Sequence, residues 1–505
     1  MTDYLVGIDA GTTGCKTIVF DLDGTICGQD YREYPSVFPT PGLVEQTYDD
    51  IIPPLMDSCR AAIEASGVPA EQIKAVAFSS QAPLLAMIGG DGKLIRPFVS
   101  WQDLRGAPYI PKLREAYGAE KFYLETGDPI GTNTAAPKWA WLKDNEPDNW
   151  AKTEWFLSEQ EFLLAEWGAD QYWTDLSSAS REGMLDVDTM TWSTPVHELI
   201  GILIAKRAQI AAEPGKVVGS IGPELARQTG LAEGTALCVG AHDQNCSTFG
   251  GGAVHGGDCV MVMGTFGSCY VVMDEPLRDP ARKLVVKPNH GMGNWTIEAF
   301  STTSASSFRW YRDTFCDIEC QAGRVAGVDP YDIITKQAGG SPIGANGVTF
   351  LPYLGGASGA RQNPDARANL NGMTLATTKG DVARAVLEGV SFEMRDVLDA
   401  QSAAGIEIET IRLVGGAAKS RMWSQMLADI FQRPIEILRT SEAGCLGAAM
   451  YAGVGVGLYE SCEQAADRAV AVVDRFEPEP STAAAYEEAF QRFVDVYEGL
   501  DDKVF

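Results

Sequence analysis

The sequence predicts a mixed α/β protein made of two similar halves, and three observations predict it. The chain opens with a strand, a Gly-Thr turn and a second strand. Segments of helical and extended periodicity then alternate. Roughly 250 residues later the strand, Gly-Thr turn, strand design returns. In the first copy, residues 4–9 are apolar and lead into Asp9-Ala10-Gly11-Thr12-Thr13-Gly14, after which 15–20 resume an extended pattern. In the second, 259–274 read CVMVMGTFGSCYVVMD, with Gly264-Thr265 at the bend. Repetition on this scale implies a duplicated domain with a cleft between the copies; two unrelated hairpins are the other reading.

Each further element has a local reason. Asp21-Leu22-Asp23-Gly24 supplies a tight hairpin turn after the second strand. Residues 48–66 carry a helical pattern, and 73–79 an apolar strand ending in Ser79-Ser80-Gln81. The stretch 80–240 is rich in Trp and Pro and reads as insertions on the first core. Residues 236–239 form a strand that runs into His242-Asp243-Gln244-Asn245. Gly250-Gly251-Gly252 is a candidate hinge. The C-terminal part is helical, interrupted at Val414-Gly415-Gly416-Ala417-Ala418, and a polar helix with a solvated face follows position 477.

Composition bounds the function. At roughly 150 residues per domain, 505 residues allow about two to four domains, and 45 % hydrophobic with 21 % charged residues supports ordinary cores. Forty Lys and Arg against 68 Asp and Glu give a net charge of −28. That field repels phosphate backbones and anionic bilayers, so neither nucleic acid nor membrane is expected as a partner. A small anion held by a nest of backbone amides stays open. The first residues lack a secretory pattern. The longest uncharged stretch, 337–360, is broken by Pro342, Pro352 and many glycines, so it is no membrane helix. Eleven scattered cysteines then read as reduced thiols in the cytoplasm. Cys316 and Cys320 share a helical spacing, but the four histidines lie elsewhere, which makes zinc the weaker reading.

Four motifs carry chemistry. In the first hairpin, glycines let successive amides point into one concavity suited to phosphate, the Thr hydroxyls add donors, and Asp9 at the strand end can hold hydrated Mg²⁺. A plain hairpin is the alternative. Asp21 and Asp23 resemble the nucleophile loop of haloacid-dehalogenase-type phosphatases, yet no downstream set of Ser/Thr, Lys and acids completes it, so a turn is the better account. Asp243, following an apolar strand, is a candidate general base toward a substrate hydroxyl, while His242 reads as packing. Gly415-Gly416 ends a strand and opens a helix, either to admit a flat ring or for tight packing. It is not a Walker loop, because no Gly-Lys-Ser/Thr follows at the required spacing.

Together these residues resemble the FGGY carbohydrate kinase family, in its xylulokinase-like branch. The resemblance rests on Asp9 to Thr13, Trp101-Gln102-Asp103-Leu104-Arg105, Gly240-Ala241-His242-Asp243-Gln244, Gly264-Thr265, Asp365-Ala366-Arg367 and Gly415-Gly416, in the family's order. It implies two ribonuclease-H-like domains of the actin-like ATPase superfamily with a central cleft, an N-terminal one over 1–248 and a C-terminal one over 249–505. It implies ATP and Mg²⁺, a cytoplasmic homodimer, and a sugar or polyol as substrate. Carried over by motif, Asp243 is the base and Asp9 positions Mg²⁺. Gly11, Thr12, Thr13, Lys16, Gly264 and Thr265 hold phosphates, and Gly415, Gly416, Ala417 and Ser420 border the adenosine. Gln81, Ala82, Trp101, Asp103 and Gln244 join Asp243 near the polyol.

Departures from the family sit in the sugar-reading shell. Ala82-Pro83 follows Gln81 where xylulokinases have Met-His and glycerol kinases Arg-Glu. Gln244 stands in place of Asn, and Glu159-Gln160 replaces a Lys-Asp pair. The expectation is therefore an ATP-dependent kinase of a small ketose or polyol, a pentulose such as D-xylulose first. Glycerol, erythritol, L-ribulose, L-xylulose, gluconate or a hexulose are other acceptors. A non-catalytic nucleotide- or sugar-binding regulator is the reading from a different class.

Overall fold

The structure is a computed structural model describing residues 2–279, 282, 284–357, 361, 363–501 and 504. The chain divides into two compact units. The first comprises Met1–Val254, Met273–Thr296 and Glu442–Ala471, and the second His255–Val272, Ile297–Ser441 and Val472–Phe505. Neither unit is a single run of chain.

The first unit is built on a six-stranded sheet. Strands β1 (Tyr4–Ala10), β2 (Gly14–Asp21) and β3 (Ile26–Glu33) form an antiparallel meander. On the other side of β1, β4 (Ile73–Ser80) runs parallel to it. The edge strand β5 (Val217–Ser220) is antiparallel to β6 (Ala236–His242), which runs parallel to β4. The order is β5-β6-β4-β1-β2-β3. The turn after β2 is held by the Asp21 carboxylate, which accepts from the amides of Asp23 (3.0 Å) and Thr25 (2.8 Å), while Gly24 takes φ +72°. Asp23 pairs with Arg468 at 2.7 Å. Both acids of the phosphatase-like motif therefore build a turn.

Alternation along these strands sends side chains to two cores. On one face Val6, Ile8 and Val19 meet Ile51, Leu55 and Cys59 of the helix Tyr48–Ser66. Thr47 and Asp50 form a capping box at its start, and Gly67 ends it at φ +64°. On the other face Leu5, Ile18, Phe20 and Ala75 pack under the helix Ala443–Gly455 through Ala448, Tyr451 and Ala452. The insertion region supplies a third core around Phe122, Trp139, Phe156 and Leu185, with Trp139 and Phe156 edge to face at 5.3 Å.

The second unit repeats the design. Strand β7 (Cys259–Met263) is antiparallel to β8 (Gly267–Met273), next to which lies β9 (Trp295–Ser301). On its other side β7 is parallel to β10 (Ile411–Gly415), and β10 to β11 (Ile435–Leu438). The antiparallel β12 (Val472–Phe476) follows. The run β9-β8-β7-β10-β11-β12 matches β3-β2-β1-β4-β6-β5 in order, and from β8 to β12 in direction as well. The two Gly-Thr hairpins thus head two copies of one ribonuclease-H-like sheet.

Two expectations need correction. The C-terminal helix Ala483–Asp501 is not a solvated polar rod. Tyr486, Phe490, Phe493 and Tyr497 are buried, and their 4-3-4 spacing is a helical apolar stripe among charged neighbours. Gly250 is explained by packing rather than by hinging, since a Cβ there would stand 1.9 Å from the Ala443 carbonyl oxygen. All eleven cysteines are free. No described helix is long and apolar enough to cross a membrane.

A buried acid in the second unit gives stability a pH dependence. Burial pushes the Glu393 carboxyl from 4.5 up to about 8, against the pull of the Ser301 hydroxyl. The folded chain therefore holds this proton up to about pH 8, whereas the unfolded chain releases it near pH 4.5. Between those values the folded state binds more protons, so the contribution of Glu393 to stability is full below the window and falls as pH rises through it. Glu393→Gln is expected to remove that part of the slope. Denaturant midpoints of variant and wild type should diverge in the variant's favour from pH 5 to 9. Parallel curves would refute the assignment.

Candidate functional site

In the first unit the candidate residues gather at the C-terminal ends of three adjacent parallel strands, where open α/β sheets bind ligands. Asp9 on β1 lies in register with Ser79 on β4, and Ser79 with Ala241 on β6. Ser79 Oγ donates to Asp9 Oδ1 at 2.6 Å. Burial raises the Asp9 carboxyl to about 6, with Ser79 and Lys16 opposing and the Asp243 charge adding to the rise. The N-terminus of the helix Ala443–Gly455 closes over this point. A Cβ on Gly444 would stand 3.4 Å from Asp9 Oδ1 and 3.3 Å from Ser79 Oγ. The helix's unpaired first-turn amides are therefore brought to the site, where they favour negative charge.

The turn after Asp9 is held by a directional series of hydrogen bonds. The Gly11 amide donates to Gly14 O at 3.0 Å. Gln81 Nε2 donates to Gly11 O (3.2 Å) and to Gln46 Oε1 (3.1 Å), and Gln46 Nε2 donates to Thr12 O (2.9 Å). Trp101 Nε1 donates to Thr12 Oγ1 at 3.0 Å, which joins the expected sugar-side Trp to the expected phosphate-side Thr. Thr13 is exposed. Lys16, expected on the nucleotide, pairs with Glu442 at 2.7 Å. Ala82 is buried behind Gln81.

Asp103 has a different neighbourhood from the one its motif implied. Its oxygens accept from the Val44 amide (2.6 Å), the Arg105 amide (2.8 Å), Arg105 Nε (2.8 Å) and Arg105 Nη2 (2.9 Å). It is fully buried, and these four bonds use its acceptor capacity. It is thus a structural acid that fixes the loop carrying Trp101, and no acceptor remains for a polyol. A carboxylate two residues before an arginine offers no sequence signal to separate these roles.

Asp243 begins the helix Asp243–Gly250 directly after β6. Its side chain is about one-third exposed, and His242 Nε2 stands 2.9 Å from Oδ1. Burial alone would raise the carboxyl. His242 and Arg181 outweigh burial and hold it below its usual value. His242 was read as packing, but it is the neighbour that keeps this acid ionised. The segment before it is anchored too, since the His242 amide donates to Ser177 Oγ at 3.1 Å. Ser177 in turn bonds Asp175, the N-cap of the helix Leu176–Arg181 that carries Arg181. Gln244 follows Asp243 half-buried, and its Oε1 has no hydrogen-bond partner among the described residues.

In the second unit Gly264 leaves β7 and Gly416 leaves β10, neighbouring parallel strands in which Met263 and Gly415 are in register. The Gly264 amide donates to Phe266 O (3.0 Å), and Thr265 O accepts from Ser304 N (3.2 Å) and Ser306 Oγ (2.6 Å). Gly415 has φ +95°, and a Cβ there would lie 2.6 Å from Met263 O. Ser420 caps the helix Arg421–Phe431, accepting from Trp423 N at 3.3 Å. A cavity of about 220 Å³ lies between Gly416, Ser420, Phe308, Tyr331, Asp332 and Trp423. Phe308 meets Tyr331 at 5.3 Å and Trp423 at 5.6 Å between ring centroids, an aromatic wall suited to a flat base. Ala417 is fully buried and is absent from this lining.

Sequence reasoning missed Glu442 and Gly444, whose only signal was the stretch rich in small residues that begins at 443, and it missed Phe308 and Tyr331, which carry no motif. The residues fit a hard divalent cation. Asp9 is a half-buried carboxyl with a second acid in its field, and among the described residues no three His, Cys, Asp or Glu form a metal cluster. One protein carboxylate completed by phosphate and water oxygens is how Mg²⁺ is usually held.

Comparison with known proteins places the whole chain. Residues 4–250 match the FGGY family of carbohydrate kinases, N-terminal domain, and residues 259–456 match its C-terminal domain. A gluconokinase from Bacillus licheniformis is 27 % identical over 507 residues, covering 100 % of this chain and 97 % of the relative. A xylulose kinase from Bacillus subtilis (strain 168) is 28 % identical over 500 residues, covering 99 % and 97 %. The fold is that of a ligand-bound xylulose kinase from Lactobacillus acidophilus, with a TM-score of 0.89, 24 % identity and 99 % of each chain covered.

Proposed function

The chain belongs to the FGGY family of carbohydrate kinases, and we propose that it transfers the γ-phosphoryl group of ATP to a terminal primary hydroxyl of a small ketose or polyol, D-xylulose first. The observation that carries this reading is Asp243, an ionised carboxyl just past the end of a strand two places from the one that carries Asp9 near its end. In its assigned role Asp243 takes the proton of the sugar hydroxyl as that oxygen attacks phosphorus. A carboxylate held low is a weak base. That suffices where the transition state is loose and positioning with charge neutralisation provides most of the rate.

The remaining roles follow from where each residue stands. Asp9 would hold Mg²⁺, which neutralises phosphate charge when bound. Thr12 and Thr13, and in the second unit Gly264 and Thr265, offer donors to phosphate. Gly416 and Ser420, with Gly415 and Ala417 behind them, border the aromatic cavity assigned to adenosine. Trp101, Gln81, Ala82 and Gln244 shape the acceptor side, and Lys16 acts through Glu442 and through its pull on Asp9. In this reading 1–248 bears the sugar side and first phosphate turn, and 249–505 the second turn and adenosine. The resemblance also implies a homodimer working in the cytoplasm.

Gluconate is the second reading, favoured by the likeness to a gluconokinase at nearly the identity of the xylulose kinase. The deciding experiment is acceptor-dependent ADP release across ketoses, polyols and aldonates. The expected result is one ketose with kcat/KM at least about tenfold above every aldonate, a margin of about 1.4 kcal/mol. Gluconate as the best acceptor would reverse the order, and ATP binding without turnover on any acceptor would favour a non-catalytic regulator.

A further inference from the structure

The hydrogen-bond series that holds the Gly11 turn has one end unaccounted for. Gln46 Nε2 is spent on Thr12 O, and Gln81 Nε2 on Gly11 O and Gln46 Oε1, so both amide orientations are fixed by their acceptors. That leaves Gln81 Oε1 as a buried acceptor, and no hydrogen bond reaches it among the described residues. Beside it lies Glu159, on whose carboxyl the Gln81 side chain and backbone both act. Glu159 is 0 % exposed, and among the described residues neither of its carboxyl oxygens has a hydrogen-bond partner. It begins the helix Glu159–Glu166, whose capping box is made by Ser158 and Glu161 and does not involve it. An ionised Glu159 would set acceptor against acceptor. A protonated one supplies the donor that Gln81 Oε1 lacks.

We infer that Glu159 is a neutral carboxylic acid whose proton is donated to Gln81 Oε1, and that it thereby acts as a positioning residue for the Gly11–Thr12 turn. Burial leads among the influences on it and outweighs the Gln81 side chain and backbone, which pull the carboxyl the other way. Burial, together with the charges of Asp243 and Asp9, raises its carboxyl well above the ordinary range. Cys15 and Tyr34, on the strands and loop packed nearby, bring no positive charge to it. The proton stays on Glu159, so no acid or base has to be regenerated in turnover. Two of the three unmatched oxygens in a buried site become one matched pair, and the Gln81 amide is fixed in the orientation that clamps Gly11 O.

The inference rests on the kinase reading only for what the ordered turn serves, and its test separates the two. Infrared difference spectra of wild type minus Glu159→Gln at pH 7 should show the carbonyl stretch of a protonated carboxylic acid, a measurement that needs no turnover. Glu159→Gln keeps a donor to Gln81 Oε1 and should retain kcat/KM within about threefold of wild type. Glu159→Ala leaves the acceptor bare, with a loss of about tenfold to a hundredfold. Absence of the band, or Glu159→Gln as impaired as Glu159→Ala, would overturn the inference. Should Glu159→Ala fail to fold, the band and the Gln variant still decide it. If wild type shows the band but phosphorylates no sugar, the kinase assignment fails while the proton on Glu159 stands.

Discussion

Asp243→Asn is expected to lower kcat for sugar-dependent ADP formation by about 10²- to 10⁴-fold, the usual contribution of a positioned general base. The substitution preserves shape and removes the one property the mechanism needs, an oxygen that can take a proton. Its immediate neighbours should tolerate it, because the side chain is about one-third exposed and its partner His242 can change which nitrogen carries hydrogen. The cavity proposed for adenosine is lined by Phe308, Tyr331 and Trp423 of the second unit, so ATP affinity should hold. Steady-state rates with saturating acceptor, set beside nucleotide binding and unfolding midpoints, check this. A variant within threefold of wild type would remove Asp243 as base, and a variant that loses ATP binding would make it a structural residue.

Gly7→Ala is expected to cost folding stability about 3 kcal/mol or more, at the upper end of overpacking effects. A Cβ at this position would stand 1.8 Å from the Cys445 carbonyl oxygen and 3.1 Å from the Ala449 amide nitrogen. Neither partner can step aside. β1 is bonded on both edges, to β2 and β4. The helix Ala443–Gly455 is pinned in turn at Gly447, where a Cβ would stand 2.0 Å from Cys246 O. Gly90→Ala is the control, because nothing lies within 4 Å of its Cβ position. Denaturant unfolding should separate the two variants clearly, and equal midpoints would refute the account of this contact.

The sheet elements were legible because each was announced by a local pattern. The first hairpin, the helix 48–66 and the strand ending at Ser79 appear within a residue or two of where periodicity put them. The duplication was legible because a Gly-Thr bend between apolar strands is a rare combination. What escaped was set by chain returning from far away. Nothing near position 9 says that Gly444 will close over Asp9, and nothing near 103 says that the Val44 amide will join Arg105 in filling that carboxylate's lone pairs. Phe308 and Tyr331 become a wall only because two helices place them beside Trp423. Glu159 was visible only as a departure from a Lys-Asp pair, since burial and an unmatched amide oxygen have no sequence pattern.

The late return of residues 442–471 to the first unit has a consequence for synthesis on the ribosome. When β6 has emerged, one face of the sheet, with Leu5, Ile18, Phe20 and Ala75, still lacks the helix Ala443–Gly455 that covers it. At ~5–20 residues per second that helix arrives roughly 10 to 40 s later. During this interval the nascent chain presents an uncovered apolar surface, the kind of patch that chaperones hold and that aggregates when they do not. A fragment ending near residue 250 would remain in that state permanently. The N-terminal half is a sequence domain but not an autonomous one, and its solubility is decided by the last quarter of the chain.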